Sequence, residues 1–153
     1  MSEFEIIIRL VIALLFGALL GVERVHAGKR AGVRTLALVS LGAALFIIIS
    51  ENVIGQYDYD IDPLRMASNV ITGIGFLGAG MIIFKKDHLA NLTTAAGVWL
   101  AAAIGMATGF GMYVVASVTT LLVIVTFTLM WNFENYLRRH FKMRDQMKEN
   151  KEH

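Results

Sequence analysis

The run Gly73-Ile74-Gly75-Phe76-Leu77-Gly78 has the glycine spacing of a dinucleotide-binding turn, in which backbone amides cradle a pyrophosphate. That chemistry needs a strand before the glycines, a helix opening after them and an acid about 20 residues further on. Here Gly97, Val98 and Trp99 stand where the acid should be, and the glycines lie within an uncharged run from Val70 to Phe84. A nucleotide is excluded. In a bilayer such glycines remove side-chain bulk so that another backbone approaches closely. Gly73, Gly75, Gly78 and Gly80 therefore read as helix-packing positions, the alternative being a permeation or ligand path.

Two polar groupings also carry residue types that do chemistry. Gly21-Val22-Glu23-Arg24 and Gly32-Val33-Arg34-Thr35 flank the short loop 25–31, which would clamp Glu23 between Arg24 and Arg34. Such a clamp serves either as a structural staple or as a binding site. Asn91, Thr93 and Thr94 open a later helix and cap its amino end, or hold an anion against its positive dipole. The second grouping is Asp62, Arg65, Asn69 and Thr72, a stripe at helical intervals that must face protein or water rather than lipid. Asp58, Asp60 and Asp62 mimic the start of a calcium loop. However, Pro63 takes the place of the required glycine and Asn69 that of the bidentate glutamate. Weak association of Mg2+ is all this loop would support, and Asp62-Pro63 reads better as the N-cap and first residue of a helix.

Other chemistries have little to work with. The chain has no cysteine, and His26, His88, His140 and His153 lack a second ligand at helical spacing, so no zinc site is expected. No nucleophile sits beside a base, so the chain reads as a non-enzyme without a cofactor or a nucleic-acid partner.

The elements that position these residues are membrane spans. Of 153 residues, 56% are hydrophobic, and a helix crossing the hydrocarbon core needs about 20 of them in a row. Five segments qualify: about 4–22, 33–54, 64–84, 92–108 and 112–133. Every basic residue except Arg9 and Arg65 falls at one set of alternate ends. Glu3, Glu5, Glu51, Asp58, Asp60 and Asp62 fall at the other. This asymmetry predicts an all-α integral membrane protein with five transmembrane helices, its N-terminus outside and its C-terminus cytoplasmic. The division is a transmembrane domain, 1–135, and a basic cytoplasmic tail, 136–153, either resting on anionic lipid or frayed. The first span lacks a basic leader and a small-residue cleavage site, so it is expected to be retained.

Within the spans, Arg9 would pair with Glu5 one turn earlier. Gly17 and Gly21 form a GxxxG packing pair. The fourth span is rich in small residues, Ala101, Ala102, Ala103, Gly105, Ala107 and Gly109. It is expected to pack on the third, with Trp99 filling space beside them.

Taken together, Gly17-x-x-x-Gly21-x-Glu23-Arg24, Ala31-Gly32-Val33-Arg34-Thr35, Asp62-Pro63, Gly73–Gly80 and Leu92-Thr93-Thr94-Ala95-Ala96 with Trp99 resemble the MgtC/SapB family. The resemblance covers most of Gly17–Gly111 in order. It implies a bacterial inner-membrane protein, linked in relatives to growth at low magnesium, to survival inside macrophages (virulence) and to restraint of the F-type ATP synthase. Asn91 stands where relatives usually have glycine. MgtC-type relatives also carry a soluble C-terminal domain, whereas a short basic tail follows Tyr136 here, so functions of that domain do not carry over.

Two readings follow. One is a membrane regulator acting through helix contacts with a second copy, as a homodimer, or with another membrane complex. The other is a transporter or channel for Mg2+ or another cation. The regulator is preferred because the third span carries no acid beyond Asp62, and selective cation passage uses oxygen ligands at depth.

Overall fold

The computed structural model describes residues 1–57, 62, 64–85 and 88–149. Five helices follow one another: α1 (Glu3–His26), α2 (Val33–Tyr57), α3 (Leu64–Met81), α4 (Leu92–Gly109) and α5 (Tyr113–Glu149). Between α3 and α4 lies a two-stranded antiparallel ribbon, β1 (Ile83–Lys85) and β2 (His88–Ala90), in the register Ile83↔Ala90. The ribbon is a small addition to a fold that is otherwise helical, as expected. It also shortens the third helix, which ends at Met81 rather than at residue 84. Ile82, Ile83 and Phe84 are β-branched or aromatic and suit an extended pair. The Asn91 side-chain amide donates to the Met81 carbonyl at 3.1 Å, satisfying one of the acceptors a helix end leaves open.

The helix ends follow local chemistry. Ser2 caps α1 by accepting from the Glu5 amide, with Glu3 and Glu5 placed favourably in the first turn. Asp62 caps α3 by accepting from the Leu64 amide at 2.9 Å. α1 and α4 end alike. Gly28 (φ +66°) and Gly111 (φ +73°) adopt the left-handed conformation, and the following residue's amide bonds back to Arg24 and Ala107, respectively. This is a Schellman closure, which glycine enters without the steric cost other residues bear.

Among the described residues, four helices are long and apolar enough to cross a bilayer: α1, α2, α4 and α5 over Tyr113–Met130. α3 falls short because Arg65, Ser68, Asn69 and its glycines dilute 18 residues. α1, α2 and α4 form the core, burying Leu20, Leu36, Val98, Ala101 and Ile104. α5 lies against α1 and α4. α3 packs mainly on α4 and stands away from α2.

The core is knitted at Ser40 on α2. Its hydroxyl donates to the Ala13 carbonyl of α1 at 2.7 Å. A Cβ on Gly17 would lie 2.7 Å from the Ser40 Cβ and 2.5 Å from the Leu36 carbonyl oxygen. On the opposite side, a Cβ on Gly105 of α4 would collide with the Ser40 backbone. One turn away in each direction, Gly21 abuts Val33 and Gly109 abuts Ala44. Two glycine pairs at four-residue spacing thus press α1 and α4 against α2. Lipid offers no hydrophobic force to drive helices together, so close van der Waals packing of this kind is what binds them.

Here the structure departs from expectation. Gly17 and Gly21 do make a close backbone contact, but the small face of α4 serves α2 as well as α3. In the third helix only Gly78 meets a neighbour, the Ala95 Cβ at 3.9 Å, while Gly73, Gly75 and Gly80 face open space within the chain.

Candidate functional site

The groups expected at the cytoplasmic mouth separate into a buried node and an exposed rim. Arg24 Nε donates to Glu23 Oε2 at 2.5 Å, with the arginine side chain 3% exposed and the glutamate 13%. The Arg24 guanidinium stacks over the Phe127 ring of α5, 3.5 Å from its centroid. Gly97 of α4 lies alongside both: a Cβ there would stand in ordinary contact, 3.9 Å from Arg24 Cδ and 3.6 Å from Phe127 Cζ. The node therefore ties α1 to α4 and α5. Charge, hydrogen bond and ring face together offset the desolvation of the arginine.

Thr94 is buried on the α4 stripe that also buries Gly97 and Val98. Arg34, Thr35 and Thr93 are exposed, and among the described residues the ion pair of Glu23 is with Arg24. The expected clamp from Arg34 is not formed. Asn91 makes no side-chain cap to α4 and instead bridges to Met81. Its φ of +68° lies in the left-handed region, the conformation that glycine and then asparagine enter most readily.

A second node, at the other end of the core, was only half visible in the sequence. Arg9 bonds Glu5 Oε1 at 2.6 Å, as its spacing suggested. It also bonds Glu51 Oε2 of α2 at 2.7 Å and the Gly109 carbonyl of α4 at 2.5 Å. The guanidinium thereby caps the negative end of α4 and ties three helices together. Gly111 leaves room for it, since a Cβ there would lie 3.0 Å from Arg9 Nη2. Arg9 Nε is buried with no partner among the described residues. The signal for Glu51 was topological: α1 begins where α2 ends, so the acid closing one meets the base opening the other.

The third-helix stripe is displayed on the surface. Asp62, Arg65, Asn69 and Thr72 are all exposed, the Thr72 hydroxyl donating locally to the Ser68 carbonyl at 3.0 Å. Trp99 is half-exposed and lines a hollow of about 160 Å³ between α3 and α4 with Ile71, Ile74 and Met106. Asp58, Asp60 and Pro63 of the acidic loop lie outside the described residues. Among the described residues, no three of the His, Asp and Glu side chains gather as a metal site would require.

Apolar helices enclosing a small-residue core, with charged nodes at its two ends, define a multi-pass helical membrane protein in a lipid bilayer. The chain belongs to the MgtC family, whose model matches residues 10–136. It is 45% identical over 130 residues to "Putative magnesium transporter YhiD" of Escherichia coli K12, covering 80% of this chain and 60% of that protein. It is 41% identical over 118 residues to "Protein MgtC" of Brucella abortus strain 2308, covering 77% and 48%, respectively. "Protein MgtC" of Salmonella typhimurium 14028s is 40% identical over 124 residues, with 81% and 52% covered. The chain thus spans about half to three-fifths of the length of these curated relatives. No solved structure matches it.

Proposed function

We propose that this protein is a non-conducting, non-enzymatic regulator of the bacterial inner membrane, acting in magnesium homeostasis or stress and virulence adaptation through contacts with membrane proteins. The observation carrying this reading is the closed core. α1, α2 and α4 meet backbone to backbone at Gly17, Gly21, Gly105 and Gly109, which leaves no room for a hydrated ion between them. Their acids stand only at the ends, Glu3, Glu5 and Glu51 at one and Glu23 at the other. A cation crossing between would find no carboxylate at depth. The family resemblance points to complexes such as the F-type ATP synthase as the regulated class.

The proposed orientation has five spans, with the N-terminus outside and the C-terminus cytoplasmic, from the segregation of basic and acidic ends. α3 counts as the fifth span because it shares a side with α4, a helix apolar enough to cross on its own. A reporter active only in the cytoplasm should work when fused after His153 or within 25–29 and fail within 56–60. Activity from the latter position would overturn the orientation.

Cation transport is the second reading, favoured by the name of the Escherichia coli relative. Purified protein in liposomes holding a magnesium indicator separates the two. The regulator predicts leakage no faster than from protein-free vesicles, and saturable magnesium entry would establish the transporter instead.

A further inference from the structure

Projected down its axis, α3 places Arg65, Asn69, Thr72 and Phe76 on one face, opposite Ile74 and Gly78, which turn toward the rest of the chain. That outward face is polar at a depth where lipid tails offer no hydrogen-bond partners, and an unmet amide there is costly. It is also stripped of bulk: nothing lies within 4 Å of a Cβ on Gly73, Gly75 or Gly80. Beside it, because α3 stands away from α2, runs a groove of about 550 Å³. Gly42 and Phe46 line it from α2, and Asn69, Gly73 and Leu77 from α3.

We propose that this face of α3 is the contact between two copies of this chain, related by a twofold axis normal to the membrane. A twofold contact requires every feature and its complement on one patch, and this patch supplies them. Asp62 and Arg65 are both exposed at its outer end. Asp62 caps α3 and Arg65 stands in its first turn. A twofold axis normal to the membrane keeps each residue at its own level, so the partner's arginine lies about one turn deeper than each aspartate, an offset its long side chain spans. Phe76, 81% exposed, is a knob outside the groove, next in sequence to Leu77 and one turn from Gly73, which line it, and the partner's groove would receive it. The bare glycines admit the partner's backbone, and Asn69 meets its own copy across the axis, where two amides satisfy each other. The contact stands whether the protein regulates or transports.

The chain has no cysteine, so single cysteines report proximity without background. Thr72→Cys and Phe76→Cys, purified, reconstituted in liposomes and oxidised, should form reducible disulfide dimers. Leu121→Cys on α5 and Ile7→Cys on α1, exposed on other faces, should remain monomeric. Adding Gly73→Leu to Thr72→Cys should abolish the dimer while leaving the melting temperature of the monomer no lower than that of Thr72→Cys alone, since a Cβ there meets nothing within 4 Å and opens onto the groove. Absence of dimers at both α3 positions, cross-linking as strong at Leu121→Cys, or dimers that survive Gly73→Leu would each overturn the proposal.

Discussion

Replacing Gly105 by alanine tests whether the close packing of α2 and α4 is what holds the core. The added methyl would collide with the Ser40 carbonyl oxygen and stand 2.8 Å from both Ser40 C and Ser40 Cα. These are backbone atoms in the middle of a helix, so no rotamer change relieves them and the two helices must separate. Overpacking of this kind costs about 1–3 kcal/mol, here at the upper end. The higher helix propensity of alanine returns about 1 kcal/mol, leaving a net loss of about 2 kcal/mol. For a chain of this size that lowers the melting temperature by about 4–8 °C. Gly73→Ala is the matched control. It gains the same propensity, meets nothing within 4 Å in its own chain and, compared as monomers, should melt at or slightly above the wild type. Thermal unfolding in detergent micelles, followed by tryptophan fluorescence, reads both. A Gly105→Ala protein as stable as the wild type would refute the close-packed core.

The end nodes make separate predictions under the same assay. Arg9→Gln forfeits a charged hydrogen bond to the Gly109 carbonyl, about 1.5–3 kcal/mol. It also loses two ion pairs whose carboxylates are part-exposed and contribute at most about 1 kcal/mol each. A loss of about 3 kcal/mol is expected, and an unchanged melt would show that the three-helix tie is idle. Glu23→Gln leaves the buried Arg24 charge uncompensated and should destabilise by about 3 kcal/mol, while Arg34→Gln at the exposed rim should stay within about 0.5 kcal/mol. If Arg34→Gln were the more damaging, the clamp absent from this structure would have to form in the membrane.

Much of the architecture was legible because bilayer physics restricts it. Runs of apolar residues located the helices, and GxxxG spacing located the Gly17–Gly21 contact. What escaped were relations between segments distant in the chain. Gly105 and Gly109 were visible as small residues, but spacing alone does not say which helix they meet, and α3, next in sequence, was the natural guess. Arg9 found its near partner through helical periodicity, whereas Glu51, 42 residues away, required knowing that α1 and α2 run antiparallel. At the mouth, sequence placed seven polar residues at one membrane level, but level does not fix direction. Arg24 turns inward to Phe127 and holds Glu23, while Arg34, Thr35 and Thr93 turn out. The end of α3 was misread because Ile82, Ile83 and Phe84 suit a span and a strand equally well.

The central claim is that the α1–α2–α4 core is closed through the bilayer, and thiol accessibility at its crossing point tests that most directly. Ser40→Cys, nearly isosteric, places a lone thiol at a residue that is 0% exposed, and Arg30→Cys supplies an exposed comparison in the loop after α1. Membrane-impermeant, water-soluble thiol reagents should label Arg30→Cys from one side of the membrane and leave Ser40→Cys unmodified from either side. Labelling of Ser40→Cys at a rate approaching that of Arg30→Cys would reveal an aqueous path through the core and contradict the account.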